Sequence, residues 1–187
     1  MKMSTETNED MPKDTPVRTE KALFGMGCFW NPQEEFSKVY GVVSATSGYA
    51  SIVEDSNSNL PAASYLSVCN GDGRTEAVLV EYDPSILPYQ QLLQTFWRYH
   101  DASELTKPQY QSVIWPLTAE QRAIAETELE KAGDAYQKQE MNAPVTVVAN
   151  VPSNGPEDFV DRTFTVAESI HQNFWTKFRF KVAALAC

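Results

Sequence analysis

With 187 residues, 42% of them hydrophobic, the chain suits one globular domain with a core of its own. Its 25 acidic against 15 basic residues leave a formal net charge of −10, which repels nucleic acid and anionic lipid and excludes both as expected partners. No apolar run approaches the length a bilayer needs, three cysteines without a CxxC pair describe no disulfide framework, and two histidines are too few to expect a zinc site.

In chain order, Met1 to Glu20 mixes both charge signs without an apolar h-region, so it reads as a disordered arm rather than a secretory signal or transit peptide. One domain is expected over 21–187, ending in a mobile tail. A reducing, cytoplasmic setting follows, where a cysteine is more often free, catalytic or redox-active than structural. Lys21–Gly25 reads as a strand stopped by glycines at 25 and 27, and Cys28–Val39 as a helix that must start near Cys28 because Pro32 is tolerated only in a first turn. Val42–Gly48 is a second strand, and the Ser-, Asn- and Asp-rich stretch 50–63 a loop. Glu76–Tyr82 is the clearest strand. Pro88 then opens a helix whose Tyr89, Leu92, Leu93, Phe96, Trp97 and His100 share one face. Ser112–Trp115 is a short strand, and Thr118 with Gln121 forms a capping-box pattern for a helix to about Gln139. Val145–Ala149 is read as the last strand and Val166–Phe178 as a helix. Strands and helices alternate, with too few helices for a doubly wound sheet. The fold class is α+β, a single mixed sheet with helices mainly on one face.

A cysteine between a glycine turn and a helix start has a physical reason to be reactive. Backbone N–H groups and the helix dipole favour the thiolate, which is the nucleophile. Phe29 and Trp30 could line an apolar pocket beside the sulfur. A lone cysteine followed by aromatics is nevertheless most often core filler, and Gly25-x-Gly27 fails as a dinucleotide loop because Trp30 stands where the third glycine belongs.

The string Gly27-Cys28-Phe29-Trp30 resembles the GCFW signature of the class A peptide methionine sulfoxide reductases. The similarity continues through Val42-Val-Ser with Gly48-Tyr49-Ala50, Tyr65-Leu-Ser-Val-Cys69, Glu76-Ala-Val with Tyr82-Asp83-Pro84, Phe96-Trp97 with His100-Asp101, Gln109-Tyr110 with Ser112, and Ala167-Glu-Ser-Ile-His171-Gln172. These matches run from about residue 20 to 175 in family order.

The resemblance implies a ferredoxin-like two-layer sandwich that reduces methionine-S-sulfoxide, protein-bound or free, to methionine. It implies Cys28 as the attacking thiolate that becomes a sulfenic acid, Phe29 and Trp30 as the methyl pocket, Glu76 as the acid, and Tyr65 and Tyr110 as holders of the sulfoxide oxygen. A strand-end carboxyl that loses solvation gains proton affinity, which independently suits Glu76 to proton donation. A second thiol must clear the sulfenic acid; Cys187 is favoured and Cys69 is the other candidate. No bound cofactor and no metal are implied, only an external dithiol, thioredoxin in the cell or dithiothreitol in vitro, and the chain is expected to act as a monomer.

The match departs from the family around the substrate rim. Gly73-Arg74-Thr75-Glu76 lacks the family's histidine, and the loop between His100 and Tyr110 is short and lacks its aspartate, leaving Glu104 as the available acid. Gln111 replaces an arginine, and Ser51-Ile52-Val53 replaces glycines. Two rivals follow: a binder of oxidised or methionine-rich segments without turnover, and a Cys–His hydrolase, which would need His100 or His171 beside Cys28.

Overall fold

The computed structural model describes residues 18–52, 62–150 and 155–185. Most of the expected arm, most of the 50–63 loop and Cys187 lie outside the described residues. Among those described, six strands form one sheet: β1 (Glu20–Met26), β2 (Val42–Ser51), β3 (Arg74–Tyr82), β4 (Ser112–Trp115), β5 (Val147–Val148) and β6 (Phe164–Val166), in the order β5-β4-β1-β3-β2-β6. The helices are α1 (Trp30–Ser37), α2 (Tyr65–Cys69), α3 (Tyr89–Arg98), α4 (Ala119–Lys138), α5 (Pro156–Thr163) and α6 (Phe174–Leu185), with a 3₁₀ turn at Pro108–Tyr110.

The inner four strands run β4-β1-β3-β2, all antiparallel, with α1 joining β1 to β2 and α3 joining β3 to β4. This is the ferredoxin-like arrangement. It is extended at one edge by β6, antiparallel to β2, and at the other by β5, parallel to β4. The sheet is therefore mixed, as expected.

Alternation along the strands decides which residues meet the helices. Ala22, Phe24 and Met26 of β1 and Val78, Val80 and Tyr82 of β3 lie in one buried cluster with Phe29 and Phe36 of the α1 region, Leu92, Leu93 and Phe96 of α3 and Ala125 of α4. Phe24 stacks on Phe36, with ring centroids 5.1 Å apart. The opposite face is covered more thinly, by Phe159 and Val160 of α5 over Leu23, Ala77 and Trp115. Helices thus cover mainly one face. Among the described residues no helix is long and apolar enough to cross a membrane.

Several expected elements are corrected. Residues 166–173 are not helical: β6 ends at Val166, turns follow, and α6 begins at Phe174. Side-chain amides hold those turns in place, with Gln172 Nε2 donating to the Ser47 carbonyl at 2.8 Å and Gln33 Nε2 donating to Gln172 Oε1 at 2.8 Å. Of Val145–Ala149 only Val147–Val148 is strand, and it is not the last, because β6 follows. The 50–63 loop begins later than expected, since Ala50 and Ser51 extend β2. The capping box at α4 is half made: Thr118 accepts from Gln121 N–H, while the Gln121 carboxamide oxygen accepts from Leu117 N–H instead.

Candidate active site

Because β1 and β3 are antiparallel neighbours, the loop leaving β1 and the start of β3 share one end of the sheet. That places Cys28 and Glu76 together. Gly27 turns the chain at φ +73°, a conformation glycine adopts without a Cβ penalty, and exposed Cys28 follows it. The helix starts later than the sequence suggests. Phe29 is the cap and Trp30 the first helical residue, so Cys28 stands just outside the helix.

Glu76 lies on the helix-facing side of β3, directly across from Tyr49 of β2, and is 1% exposed. Phe29 N–H donates to its Oε2 at 3.1 Å, and the Gln109 side-chain amide donates to its Oε1 at 2.9 Å. Burial raises the carboxyl's pKa, while the two donors work against that rise. The net rise is in the direction expected for a carboxyl that loses solvation.

The Cys28 thiol departs from expectation. Loss of solvation around the sulfur raises its pKa, the Trp30 backbone N–H lowers it, and the Glu76 charge raises it again. Standing outside the helix, the sulfur gains that single N–H rather than a full helix terminus. The Glu76 contribution vanishes when that carboxyl is protonated, so acid and thiol suit each other only in the neutral-acid state.

Tyr110, on the 3₁₀ turn, has its phenol pKa raised by burial and then by the charges of Glu76, Cys28 and Cys69. Tyr65, half-exposed on α2, is pushed up to about 12, chiefly by its hydrogen bond to Cys69. Both phenols therefore remain O–H donors across the physiological range. Cys69 is exposed at the end of α2, and the Gln109 amide reaches its Sγ at 3.4 Å. α2 itself was not legible as a helix: it is five residues long, and the reciprocal Ser64 and Ser67 hydrogen bonds start it.

The aromatics continue the site outward. Phe29 is 1% exposed and packs on Tyr49 and His171 at centroid distances of 5.7 and 5.5 Å. Trp30 is half-buried, its indole N–H donates to His171 Nδ1 at 3.4 Å, and one ring face is covered by Phe174 at 3.7 Å. Glu168 accepts from Tyr49 O–H and Tyr65 N–H, each at 2.8 Å. Loss of solvation works to raise its carboxyl, but those hydrogen bonds and one from its own backbone outweigh it and hold the group below the usual carboxylate range.

All the expected residues among those described thus gather at one end of the sheet: Cys28, Phe29, Trp30, Tyr65, Cys69, Glu76 and Tyr110. Sequence reasoning did not single out Gln109, Glu168 or Tyr49 and weighed His171 only as a hydrolase base, although each lies in a matched string. Polar residues inside otherwise apolar or turn segments were the available signal. Glu104, the acid available in the short loop, is exposed. Neither histidine is set up as a base for Cys28. His100 hydrogen-bonds the Phe96 carbonyl at 2.7 Å and Ser112 Oγ at 2.8 Å, and His171 is enclosed by Phe29, Trp30 and Tyr65. Among the described residues no three His, Cys, Asp or Glu side chains gather to hold a metal ion.

Fold and site together define a single-sheet α+β protein built around one loop cysteine and a buried, protonatable acid. A family model described as peptide methionine sulfoxide reductase matches residues 20–185, and the chain belongs to that family. The peptide methionine sulfoxide reductase MsrA of Salmonella newport is 38% identical over 146 residues, covering 74% of this chain and 66% of its own. That of Escherichia coli O157:H7 (strain EC4115) is 41% identical over 125 residues, covering 63% and 56%. The chain therefore spans less than two thirds of the length of these curated relatives. Among solved structures, methionine sulfoxide reductase A of Corynebacterium diphtheriae superposes with a TM-score of 0.71 at 25% identity, covering 85% of this chain and 74% of its own. Mxr1 of Saccharomyces cerevisiae in reduced form shares the fold, with a TM-score of 0.67 at 24% identity and 88% of each chain covered.

Proposed function

We propose that the chain reduces methionine-S-sulfoxide to methionine, with Cys28 as nucleophile, Glu76 as proton donor and an external dithiol as electron source. The observation that carries this reading is the Glu76 carboxyl, 1% exposed and tied through Phe29 N–H to the residue beside the cysteine. A thiol alone has many uses. A thiol beside a buried carboxyl whose proton affinity is raised, with the phenols of Tyr65 and Tyr110 close to that carboxyl, fits a substrate whose oxygen must be protonated as it leaves sulfur.

In the reaction the Cys28 sulfur attacks, the sulfoxide S–O bond breaks and a new S–O bond forms on Cys28. The sulfoxide sulfur gains the two electrons that Cys28 loses, giving methionine and a sulfenic acid. Glu76 supplies a proton to the oxygen and recovers one from the Cys28 thiol. Tyr65 and Tyr110 hold the oxygen, and Phe29 with Trp30 cradles the methyl group. A second thiol then displaces water from the sulfenic acid to form a disulfide, which thioredoxin or dithiothreitol reduces. Cys187 and Cys69 are the candidates. Support for Cys69 is its place on the rim beside Tyr65 and Gln109, and mapping the disulfide left after one turnover decides between them. We place the activity in the reducing cytoplasm, in a monomer.

The test is reduction of a peptide carrying methionine-S-sulfoxide with dithiothreitol, comparing wild type with Cys28→Ser. Turnover that vanishes in the variant is the expected result. A folded wild type that leaves both epimers and the free amino acid unreduced replaces the reductase with a binder of oxidised segments.

A further inference from the structure

We propose that Gln109 is a positioning residue for Glu76, its side-chain amide fixing the carboxyl toward Cys28 and stabilising the carboxylate that remains once the proton has been given. The role rests on the reductase reading, whereas the contact itself does not.

Three features converge on this amide. Gln109 is 8% exposed, and its turn is anchored next to the acid, because Thr75 Oγ1 donates to the Pro108 carbonyl at 2.8 Å. The two carboxyl oxygens of Glu76 are divided between two donors, Oε2 to Phe29 N–H and Oε1 to the Gln109 amide. The same amide nitrogen reaches Cys69 Sγ at 3.4 Å, which occupies its second hydrogen and fixes its rotation. A backbone donor on one side and a neutral amide on the other match a carboxylate without adding a cation that would hold it ionised permanently. Burial raises the carboxyl's affinity for its proton, and these two donors offset part of that rise by stabilising the carboxylate.

The ionisable groups facing Glu76 are Cys28 from the β1–α1 loop, Tyr49 from β2, Tyr65 and Cys69 from α2, and Tyr110 from the 3₁₀ turn. The phenols of Tyr49, Tyr65 and Tyr110 all have raised pKa values and stay neutral, and Cys28 is removed from the titration by substitution.

The experiment is an NMR titration from pH 4 to 9 of the full Cys28→Ala chain, labelled at the glutamate δ-carbon and the glutamine side-chain nitrogen. The Gln109 amide signal is expected to shift with the same midpoint as the Glu76 carboxyl. In Cys28→Ala/Gln109→Met that carboxyl midpoint is expected to rise by about one pH unit, a tenfold gain in proton affinity. In the Cys28-containing Gln109→Met protein, the alkaline limb of single-turnover kcat/KM should move up with it while kcat falls. An amide signal blind to the Glu76 titration, or an unmoved midpoint in a folded variant, overturns the proposal. If Gln109→Met does not fold, the amide titration decides alone. Coupled titration in a protein that never turns over sinks the reductase reading and leaves the Gln109–Glu76 contact standing.

Discussion

Substituting Gly48 by alanine tests how the edge of the sheet holds the outer part of the site. Gly48 pairs with Ala77 of β3 on one side and Val166 of β6 on the other. A Cβ built there lies 2.5 Å from the Thr165 carbonyl oxygen and still closer to the Phe164 ring. Neither obstacle is a loose side-chain end: the carbonyl is backbone, and the ring is packed in the second core cluster. Relief requires β6 to back away from β2. Overpacking of this kind costs about 1–3 kcal/mol, and each weakened ladder hydrogen bond adds about 0.5–1.5 kcal/mol. With β6 only three residues long, a total loss of about 2–4 kcal/mol is expected. The assay is guanidinium unfolding followed by tryptophan fluorescence, with Gly48→Ala, Phe164→Leu and the double variant forming a cycle. The smaller ring-free side chain should absorb part of the clash, so the double variant should be more stable than the sum of the single changes predicts. Because Glu168 and His171 follow directly after β6, KM for a sulfoxide peptide should rise more than kcat falls. A loss below about 0.5 kcal/mol, or strict additivity in the cycle, refutes the reasoning.

Glu76→Gln should abolish sulfoxide reduction, and its effect on stability should depend on pH. The folded carboxyl titrates above its unfolded value of about 4.3, so protonated Glu76 contributes stability at acid pH that is lost as pH rises through the folded value. The stability difference, variant minus wild type, should therefore grow from pH 4 upward and then level off; denaturant melts at several pH values that give a flat difference contradict this. His100 has the opposite sign. Burial depresses its folded pKa, so the stability it confers is present above about pH 6.5 and lost as pH falls through the folded value. His100→Gln should remove that part of the acid sensitivity, and a wild-type-like slope below pH 6 would show the ring to be irrelevant to it.

What could be read in the sequence was what local pattern and composition decide. The alternation of β3 and the one-sided apolar face of α3 were legible because each side chain's environment follows from its own period. Residues 166–173 were not. Their turns depend on Gln172 and Gln33 amides that bond across to β2, and such tertiary hydrogen bonds leave no periodicity behind. α5 was not read at all, although Gly155-Pro156 offers a helix-start signal, since proline suits a first helical turn. At the site, Cys28 and Glu76 were legible through residue chemistry and a specific signature. Gln109 and Glu168 were not assigned roles and His171 was weighed only as a hydrolase base, because what each does depends on partners far away in the chain. The direction of the Cys28 shift was misjudged because folding strips solvent from the sulfur, and Glu76, brought beside it when β1 and β3 pair, adds to the rise.

That pairing also governs when the chain acquires its chemistry. Cys28 leaves the end of β1, and Glu76 enters with β3 only after α1 and β2 have been traversed. Contacts of such long sequence separation close late and slowly in folding. A nascent or partly unfolded chain therefore carries an ordinary, solvated cysteine with no acid beside it. Cys28 and Glu76 come together only once β1 and β3 have paired, so a misfolded copy lacks the assembled pair of groups.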